Sequence, residues 1–354
     1  MKTKILLVGG FLGAGKTSLL WEAASRLTVR GMKVALITND QASELVDSAF
    51  LLQTGLTIAE VSGSCFCCNF NGFADSIAKV RAEAPDVILA EPVGSCADLS
   101  ATILQPLKKF YGQELSLAPF SVLADPVRLR PILDGDNGDL HEDAAYIFRK
   151  QLEEADEILL TKSDLHTDDG LEERIRAAFP DTDVHRISSL TGEGVDAWLE
   201  RALTGTEAGL RLLDIDYDRY AHGEAVLGWL NGTVELRGSD VDWDDYTRLL
   251  MKELQRRLSE IPVGHVKIFV GNGKAFTVGN LTGDGRVSLR YKAGRSDCVN
   301  VTVNARVQTS PKALDRIIRA AFGAAGVPFT TTERVWHFLR PGRPAPTYRF
   351  AEIV

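Results

Sequence analysis

Residues 9–18 read Gly-Gly-Phe-Leu-Gly-Ala-Gly-Lys-Thr-Ser. Within them, Gly10-x4-Gly15-Lys16-Thr17 has the spacing of a phosphate-cradling loop. A triphosphate is a dense anion and needs many donors at short range. Glycine adopts positive φ without strain, so such a loop can turn its N–H groups inward. Gly10, Gly13, Ala14, Gly15, Lys16, Thr17 and Ser18 are the candidate phosphate contacts. Lys16 reaches the β- and γ-phosphates as a point charge, and the Thr17 hydroxyl is placed to ligate Mg²⁺. The helix that follows points its positive end at the anion.

The flanks agree. Lys4-Ile5-Leu6-Leu7-Val8 is an apolar run of the kind a buried parallel strand carries. Leu19, Leu20, Ala23, Ala24 and Leu27 then recur at helical spacing. Strand, glycine loop and helix is the order this chemistry requires. The glycines and Lys16 interrupt the N-terminal apolar stretch, which argues against a secretory signal.

Composition sets wide bounds. A length of 354 residues allows two domains at roughly 150 residues each. Forty basic residues against 48 acidic ones give a net charge of −8, which argues against nucleic acid or an anionic membrane as a partner. No stretch approaches the ~18 apolar residues of a membrane span. Three of the five cysteines, Cys65, Cys67 and Cys68, fall within four positions. Without an export signal they read as metal-binding or redox-active thiols, and the expected location is the cytoplasm.

Successive strand patterns end in candidate site residues. Lys33-Val34-Ala35-Leu36-Ile37-Thr38 runs into Asn39-Asp40-Gln41. Asp40 either orients a water or helps hold Mg²⁺, or it caps the next helix. Leu56-Thr57-Ile58-Ala59-Glu60-Val61 leads to Cys65-Phe66-Cys67-Cys68. A divalent metal stabilises crowded thiolates; a redox pair and inert thiols are the alternatives. Three thiolates leave one position of a tetrahedral ion open, and Cys96 is a candidate neighbour. Pro85-Asp86-Val87-Ile88-Leu89-Ala90-Glu91 ends in a carboxylate suited to the Mg²⁺ shell, directly or through water. Gly94 suits a loop whose N–H senses the γ-phosphate. Lys16, Asp40 and Glu91 are the candidate catalytic residues.

Glu157-Ile158-Leu159-Leu160 then meets Thr161-Lys162-Ser163-Asp164, a guanine-reading signal with Thr in place of its usual Asn. A carboxylate at Asp164 accepts from guanine N1–H and N2–H₂, which adenine cannot match. The Lys162 stem covers the base. Ser189 and Leu190, after a further strand at 184–187, belong to the last base-contacting loop.

In this order and spacing, the phosphate loop, Cys65-Phe66-Cys67-Cys68, Glu91-x-x-Gly94 and Thr161-Lys162-x-Asp164 resemble the CobW-type GTPases, relatives of the hydrogenase and urease nickel-insertion GTPases. The resemblance covers residues 1 to about 200. It implies a slow GTP-hydrolysing metallochaperone that uses Mg²⁺ and carries Zn²⁺ or Co²⁺ to a client metalloenzyme or corrinoid protein. The alternative it leaves is a regulatory GTPase with a purely structural metal. Related GTPases often dimerise, so a homodimer is an expected assembly. Six scattered histidines argue against bulk metal storage.

The expected fold is therefore a doubly wound, mostly parallel α/β sheet of the P-loop NTPase type over residues 1–204. Residues 205–222 read as an acidic linker. Residues 223–354 read as a small ferredoxin-like α+β domain, with strands at 225–236, 265–270, 275–279, 286–291 and 299–307. Its helices are expected over 242–260, with Leu249 on the core face, and from Ser310-Pro311 onward. The last stretch, from Trp336 to Tyr348, reads as extended.

Overall fold

The computed structural model describes residues 2–39, 56–61, 65–166, 170–326 and 330–354. The notable site candidate outside them is Asp40.

The chain opens with β1 (Thr3–Gly10), α1 (Lys16–Val29), β2 (Val34–Thr38) and β3 (Thr57–Glu60). It continues through α2 (Phe70–Arg81), β4 (Val87–Glu91), a π-helical turn (Ser100–Leu104) running into α3 (Gln105–Tyr111), and β5 (Leu115–Leu117). β6 (Ser121–Ala124), α4 (Pro126–Leu133), α5 (Glu142–Glu153), β7 (Glu157–Leu160), α6 (Leu171–Ala178), β8 (Asp183–Arg186) and α7 (Val195–Thr204) complete the first sheet and its covering helices. The strand order is β3-β2-β4-β1-β6-β7-β8, with β5 pairing β1, and every pair is parallel. Along β1, Ile5 and Leu7 join the core on one face while Leu6 and Val8 join the core on the other. That two-sided burial is why the strand reads as one continuous apolar run. The α1 residues Leu19, Leu20, Ala23, Ala24 and Leu27 are all fully buried.

Part of the stretch 205–222, expected as an acidic linker, packs onto the first domain. Leu213 is buried, and α8 (Tyr217–Ala225) lays Tyr220 and Glu224 into the first domain. Acidic side chains on one face concealed an apolar face on the other.

The second sheet contains β9 (Gly228–Asp242), β10 (Val263–Gly271), β11 (Phe276–Thr282), β12 (Val287–Lys292), β13 (Arg295–Val307) and β14 (Thr330–Leu339). It is antiparallel, in the order β12-β11-β10-β13-β9-β14. With α9 (Trp243–Arg257) and α10 (Pro311–Ala324), strands β9, β10, β13 and β14 make a ferredoxin-like βαββαβ unit, and the β11–β12 hairpin extends its edge. Asp242 caps α9 by accepting from the Asp245 N–H, so the strand before it runs to the helix without a loop. Leu249 is exposed rather than in the core: it sits about 100° around the helix from Leu250, off the stripe formed by Tyr246, Leu250 and Leu254. The end of the chain, expected only as extended, first supplies β14. Residues 340–354 then return to the first domain.

Two loop glycines separate conformational from steric cost. Gly10 has φ 127°, and a Cβ there would lie 2.5 Å from the Leu123 carbonyl oxygen. Gly15 has φ 97° with nothing within 4 Å of the same position. Gly15→Ala is expected to cost about 1–2 kcal/mol of backbone strain. Gly10→Ala adds overpacking of about 1–3 kcal/mol to the same strain. Urea unfolding of the two variants should show the larger loss at Gly10.

Candidate functional site

All strand ends of the first sheet that carry site residues open on one edge, because the pairings are parallel. A cavity of about 410 Å³ lies there. Gly13, Ala14, Gly15, Lys16, Thr17 and Ser18 line it, together with Glu91, Gly94, Lys162, Asp164, Ser189 and Leu190. Gly10 does not face the cavity, but its carbonyl accepts from Lys16 Nζ at 2.7 Å. Lys16 is buried, which pushes its ammonium down to about 8; Glu91 opposes that shift and Lys267 adds to it. Thr17 Oγ1 donates to Glu91 Oε1 at 2.9 Å. A Cβ on Gly94 would meet Leu12 at 2.8 Å and Lys16 Nζ at 2.9 Å, so glycine is needed for this close approach.

At the other end of the cavity, Lys162 adopts φ 58°, a strained conformation for a side-chain-bearing residue. Its ammonium donates to Asp125 Oδ2 at 2.6 Å. Asp125 is itself fixed as the α4 cap, accepting from the Val127 N–H at 2.9 Å. Ser188 Oγ donates to Asp164 Oδ1 at 2.6 Å and accepts from the N–H groups of Leu190 and Thr191. Ser188 thus sets both the carboxylate and the following loop, a role that its neighbours Ser189 and Leu190 obscured in the sequence.

The second sheet roofs the cavity. Lys267 on β10 donates to Thr17 Oγ1 at 2.9 Å. Asp284 reaches Lys162 at 3.7 Å, and Arg286, Arg290 and Arg306 complete a basic wall. Gly13 comes up against the Gly264 backbone. The second domain therefore bears directly on the nucleotide-type pocket, although its sequence showed no such chemistry. The only sign was period-two alternation: Lys267 lies between the buried residues Val266 and Ile268.

The cysteines form a separate cluster behind this edge. The sulfur atoms of Cys65, Cys67 and Cys68 all lie within 4.8 Å of one another, with Cys65 and Cys67 2.9 Å apart. Cys96, fully buried, lies near Cys65 and Cys67 but outside the group of sulfur atoms within 4.8 Å of one another. Hydrogen bonds from the other thiols hold Cys65 far below the usual thiol range, while the same contacts push Cys67 and Cys96 up. Three sulfur atoms this close are a donor set suited to a soft or borderline cation. Glu224 on α8, hydrogen-bonded to Ser95 at 2.6 Å, is pushed up to about 8 by burial.

Two short chains of contacts join the cavity to the thiols. Asn39 lines the cavity, and its N–H donates to the Glu91 carbonyl at 3.0 Å. Its side chain accepts from the Phe66 N–H at 2.8 Å and donates to the Val61 carbonyl at 2.9 Å, gripping the cysteine loop from both sides. On the second route, Gln151 on α5 donates to the carbonyls of Gly94 and Cys96. The C-terminal tail closes the far side. Ala345 N–H donates to Cys68 Sγ at 3.3 Å, Thr347 N–H to the Cys67 carbonyl at 2.9 Å, and Tyr348 packs edge-on against Phe70.

The depressed Lys16 gives a pH signature. Because its ordinary value is 10.5 and burial lowers it to about 8, the free protein has largely lost that proton at about pH 9. An anion in the cavity favours the charged form, so nucleotide binding takes up a proton at about pH 9 and none at about pH 7. Calorimetry in buffers of different ionisation enthalpy measures this. Lys267→Met, which removes a neighbouring positive charge, should shrink the uptake.

Comparison with known proteins gives a match to the CobW/HypB/UreG nucleotide-binding domain over residues 4–186. The zinc chaperone YeiR of Escherichia coli (strain K12) is 29% identical over 174 residues, 47% of this chain and 48% of that protein. The chain thus spans about half the length of that curated relative. Among solved structures, the Zn(II)-bound YjiA GTPase from E. coli is 18% identical with a TM-score of 0.41, covering 92% of this chain and 100% of that one. HypB from Helicobacter pylori in complex with nickel is 15% identical with a TM-score of 0.41, covering 56% of this chain and 84% of that one. The domain match spans more than half of the 354 residues, and the chain belongs to the CobW/HypB/UreG family.

Proposed function

We propose that this protein is a GTP-hydrolysing metallochaperone that loads a divalent transition metal, Zn²⁺ or Co²⁺, on Cys65, Cys67 and Cys68. It passes that ion to a client metalloenzyme or corrinoid protein. The observation that carries this reading is Asn39, which touches the Glu91 strand end with its backbone and the cysteine loop with its side chain. Membership of the family supports GTP as the nucleotide, and the naming of the E. coli relative as a zinc chaperone supports zinc.

In this reading, Asp164 selects guanine and Lys162 covers the base, while Lys16 and the loop N–H groups hold the triphosphate. Thr17 and Glu91 offer hard oxygen donors 2.9 Å apart, and the Lys267 ammonium already sits on the same hydroxyl, so the pair fits a small hard cation. Thr17, with Glu91 directly or through water, would hold Mg²⁺, which neutralises charge on the β- and γ-phosphates when bound. Gly94 approaches Lys16 closely enough for its N–H to respond to the γ-phosphate. Hydrolysis releases that contact. The Glu91–Asn39–Phe66 link then relaxes the thiol loop, while the Gly94–Gln151–Cys96 contacts shift the buried Cys96 behind it, and the hold on the metal weakens.

A second reading has its own support. Cys96 is fully buried near Cys65 and Cys67, and by moving in from outside their 4.8 Å group it would supply the fourth thiolate of a purely structural site, as in a regulatory GTPase that assembles or reactivates a partner enzyme. The two readings separate on nucleotide dependence. Zn²⁺ and Co²⁺ affinity is measured by chelator competition under reducing conditions, with Mg-GDP and with a non-hydrolysable GTP analogue. The chaperone reading expects a gain of about tenfold or more in the GTP state, about 1.4 kcal/mol of coupling. That gain is lost when Cys65, Cys67 and Cys68 are replaced by Ala, and reduced in Asn39→Ala. Equal affinity in both nucleotide states would overturn it in favour of the structural site.

Base recognition has an independent check. Asp164→Asn should shift preference from GTP toward xanthosine triphosphate. Undiminished GTP binding by that variant would refute the assignment of Asp164.

A further inference from the structure

The region where α8 crosses α5 holds a second cluster of metal-type ligands. α8 can press close there because Gly223 has no side chain: a Cβ would lie 2.3 Å from the Asp143 carbonyl oxygen. The approach carries His222 onto Asp143, with His222 Nδ1 and Asp143 Oδ2 2.5 Å apart. His141, the residue that caps α5, places its Nδ1 3.9 Å from the same Oδ2. The two imidazole rings stand edge to face with centroids 5.0 Å apart.

The carboxylate is divided between two tasks. Asp143 Oδ1 accepts from Arg219 Nε at 2.9 Å, and that guanidinium stacks over Tyr146. Oδ2 is left to the two histidines. The ligand atoms of His141, Asp143 and His222 all lie within 4.8 Å of one another. A tetrahedral zinc-type ion with ligands at about 2.0–2.1 Å needs them about 3.3 Å apart. Reaching that spacing takes a small rotation of both rings, His141 toward Asp143 Oδ2 from 3.9 Å and His222 away from it from 2.5 Å, and their side chains are 34% and 59% exposed.

We propose that His141, Asp143 and His222 form a second metal site, distinct from the thiol cluster, for a divalent ion of the Zn²⁺, Co²⁺ and Ni²⁺ class. Two imidazoles and one carboxylate are a borderline donor set. Three protein ligands leave one position open to water or to an exchanging ligand, the arrangement of a site that gives up its ion readily. The weak cap from the Asp143 N–H to His141 Nδ1, at 3.2 Å, is what binding displaces if that nitrogen is used. Bound metal clamps α8 to α5. On its other face α8 carries Tyr220, whose hydroxyl accepts from the Ala97 N–H beside Cys96, and Glu224 on Ser95. The second site therefore stiffens the wall behind the thiols.

The test is Co²⁺ titration of the full-length chain, read by absorption. The variant with Cys65, Cys67 and Cys68 all replaced by Ala should still bind one Co²⁺, with visible ligand-field bands and no thiolate charge-transfer band. Adding His222→Ala or His141→Ala should weaken that binding tenfold or more. Arg219→Ala, which removes a competing cation from Asp143, should tighten it severalfold. Nucleotide binding by each variant reports that the fold is intact. If the triple cysteine variant binds no Co²⁺, or if both histidine variants leave its affinity unchanged, the cluster is a helix cap and ion pair only. Neither result touches the thiol site, whose charge-transfer band in the wild-type chain is read separately.

Discussion

The Lys16 ammonium sits where the fold makes positive charge expensive. Burial drives it toward the neutral form, and its own loop carbonyls and Glu91 only partly restore the charge. A buried ammonium with these partners is an anion site held ready: an arriving phosphate repays the desolvation that the fold has already imposed. The rest of the architecture follows from keeping that one group in place. β1 must be central so that its loop emerges between β4 and β6, and the parallel pairings deliver Asn39, Glu91 and Lys162 to the same edge. The antiparallel second sheet adds more positive charge from above, so the cavity becomes a cleft between domains and not a groove on one of them.

This placement has a consequence for switching. A two-state element responds to a ligand only through contacts that differ between the states. Glu91 and Gly94 are at the cavity wall; Asn39 links the first to the cysteine loop, and Gln151 ties the second to Cys96 on its own loop. Neither link is a long pathway. A shift of less than an ångström in either strand end changes hydrogen bonds that end on Phe66 and Cys96, and buried hydrogen bonds do not deform continuously. The thiols themselves crowd one another, and their shared protons give a cluster whose affinity for a cation depends steeply on geometry.

Much of this was legible in the sequence, and the gaps have physical reasons. The phosphate loop, the α1 core face and the cysteine motif are local patterns whose spacing fixes their geometry. Asn39 was not, because a polar residue after a strand serves equally as a helix cap or a bridge, and only the distant partners Phe66 and Val61 decide. Lys267 lies on an alternating strand, where alternation says which residues leave the core but not what they meet. The packing of the stretch 205–222 is hidden in the sequence because composition averages over both faces of α8, setting Tyr220 behind Asp216 and Asp218. Leu249 falls by spacing on a broad apolar face of α9, and only the packing shows that the buried stripe runs through Tyr246, Leu250 and Leu254. The pairing of His141 with His222 spans 81 positions and depends on Gly223, which no local pattern marks.

The C-terminal tail limits how such a cluster can exchange its ion. Ala345 and Thr347 hydrogen-bond the Cys67–Cys68 segment, Arg349 pairs with the buried Asp98, and Arg343 pairs with Asp218 on α8. Exposed pairs of the Arg343 type contribute little, about 0–1 kcal/mol. The Asp98–Arg349 pair is different: Asp98 is fully buried, so removing Arg349 leaves its charge with only the Tyr217 hydroxyl as a donor. The tail is thus anchored firmly at Arg349 and lightly at Arg343 and Ala345. Between β14 and Arg349, release of the Ala345 contact frees Cys68 Sγ, while Thr347 still holds the Cys67 and Cys68 carbonyls. On the proposed reading, an incoming client ligand therefore meets Cys68 before the other thiols, and transfer proceeds from the outermost sulfur inward while Cys65 and Cys67 still hold the ion.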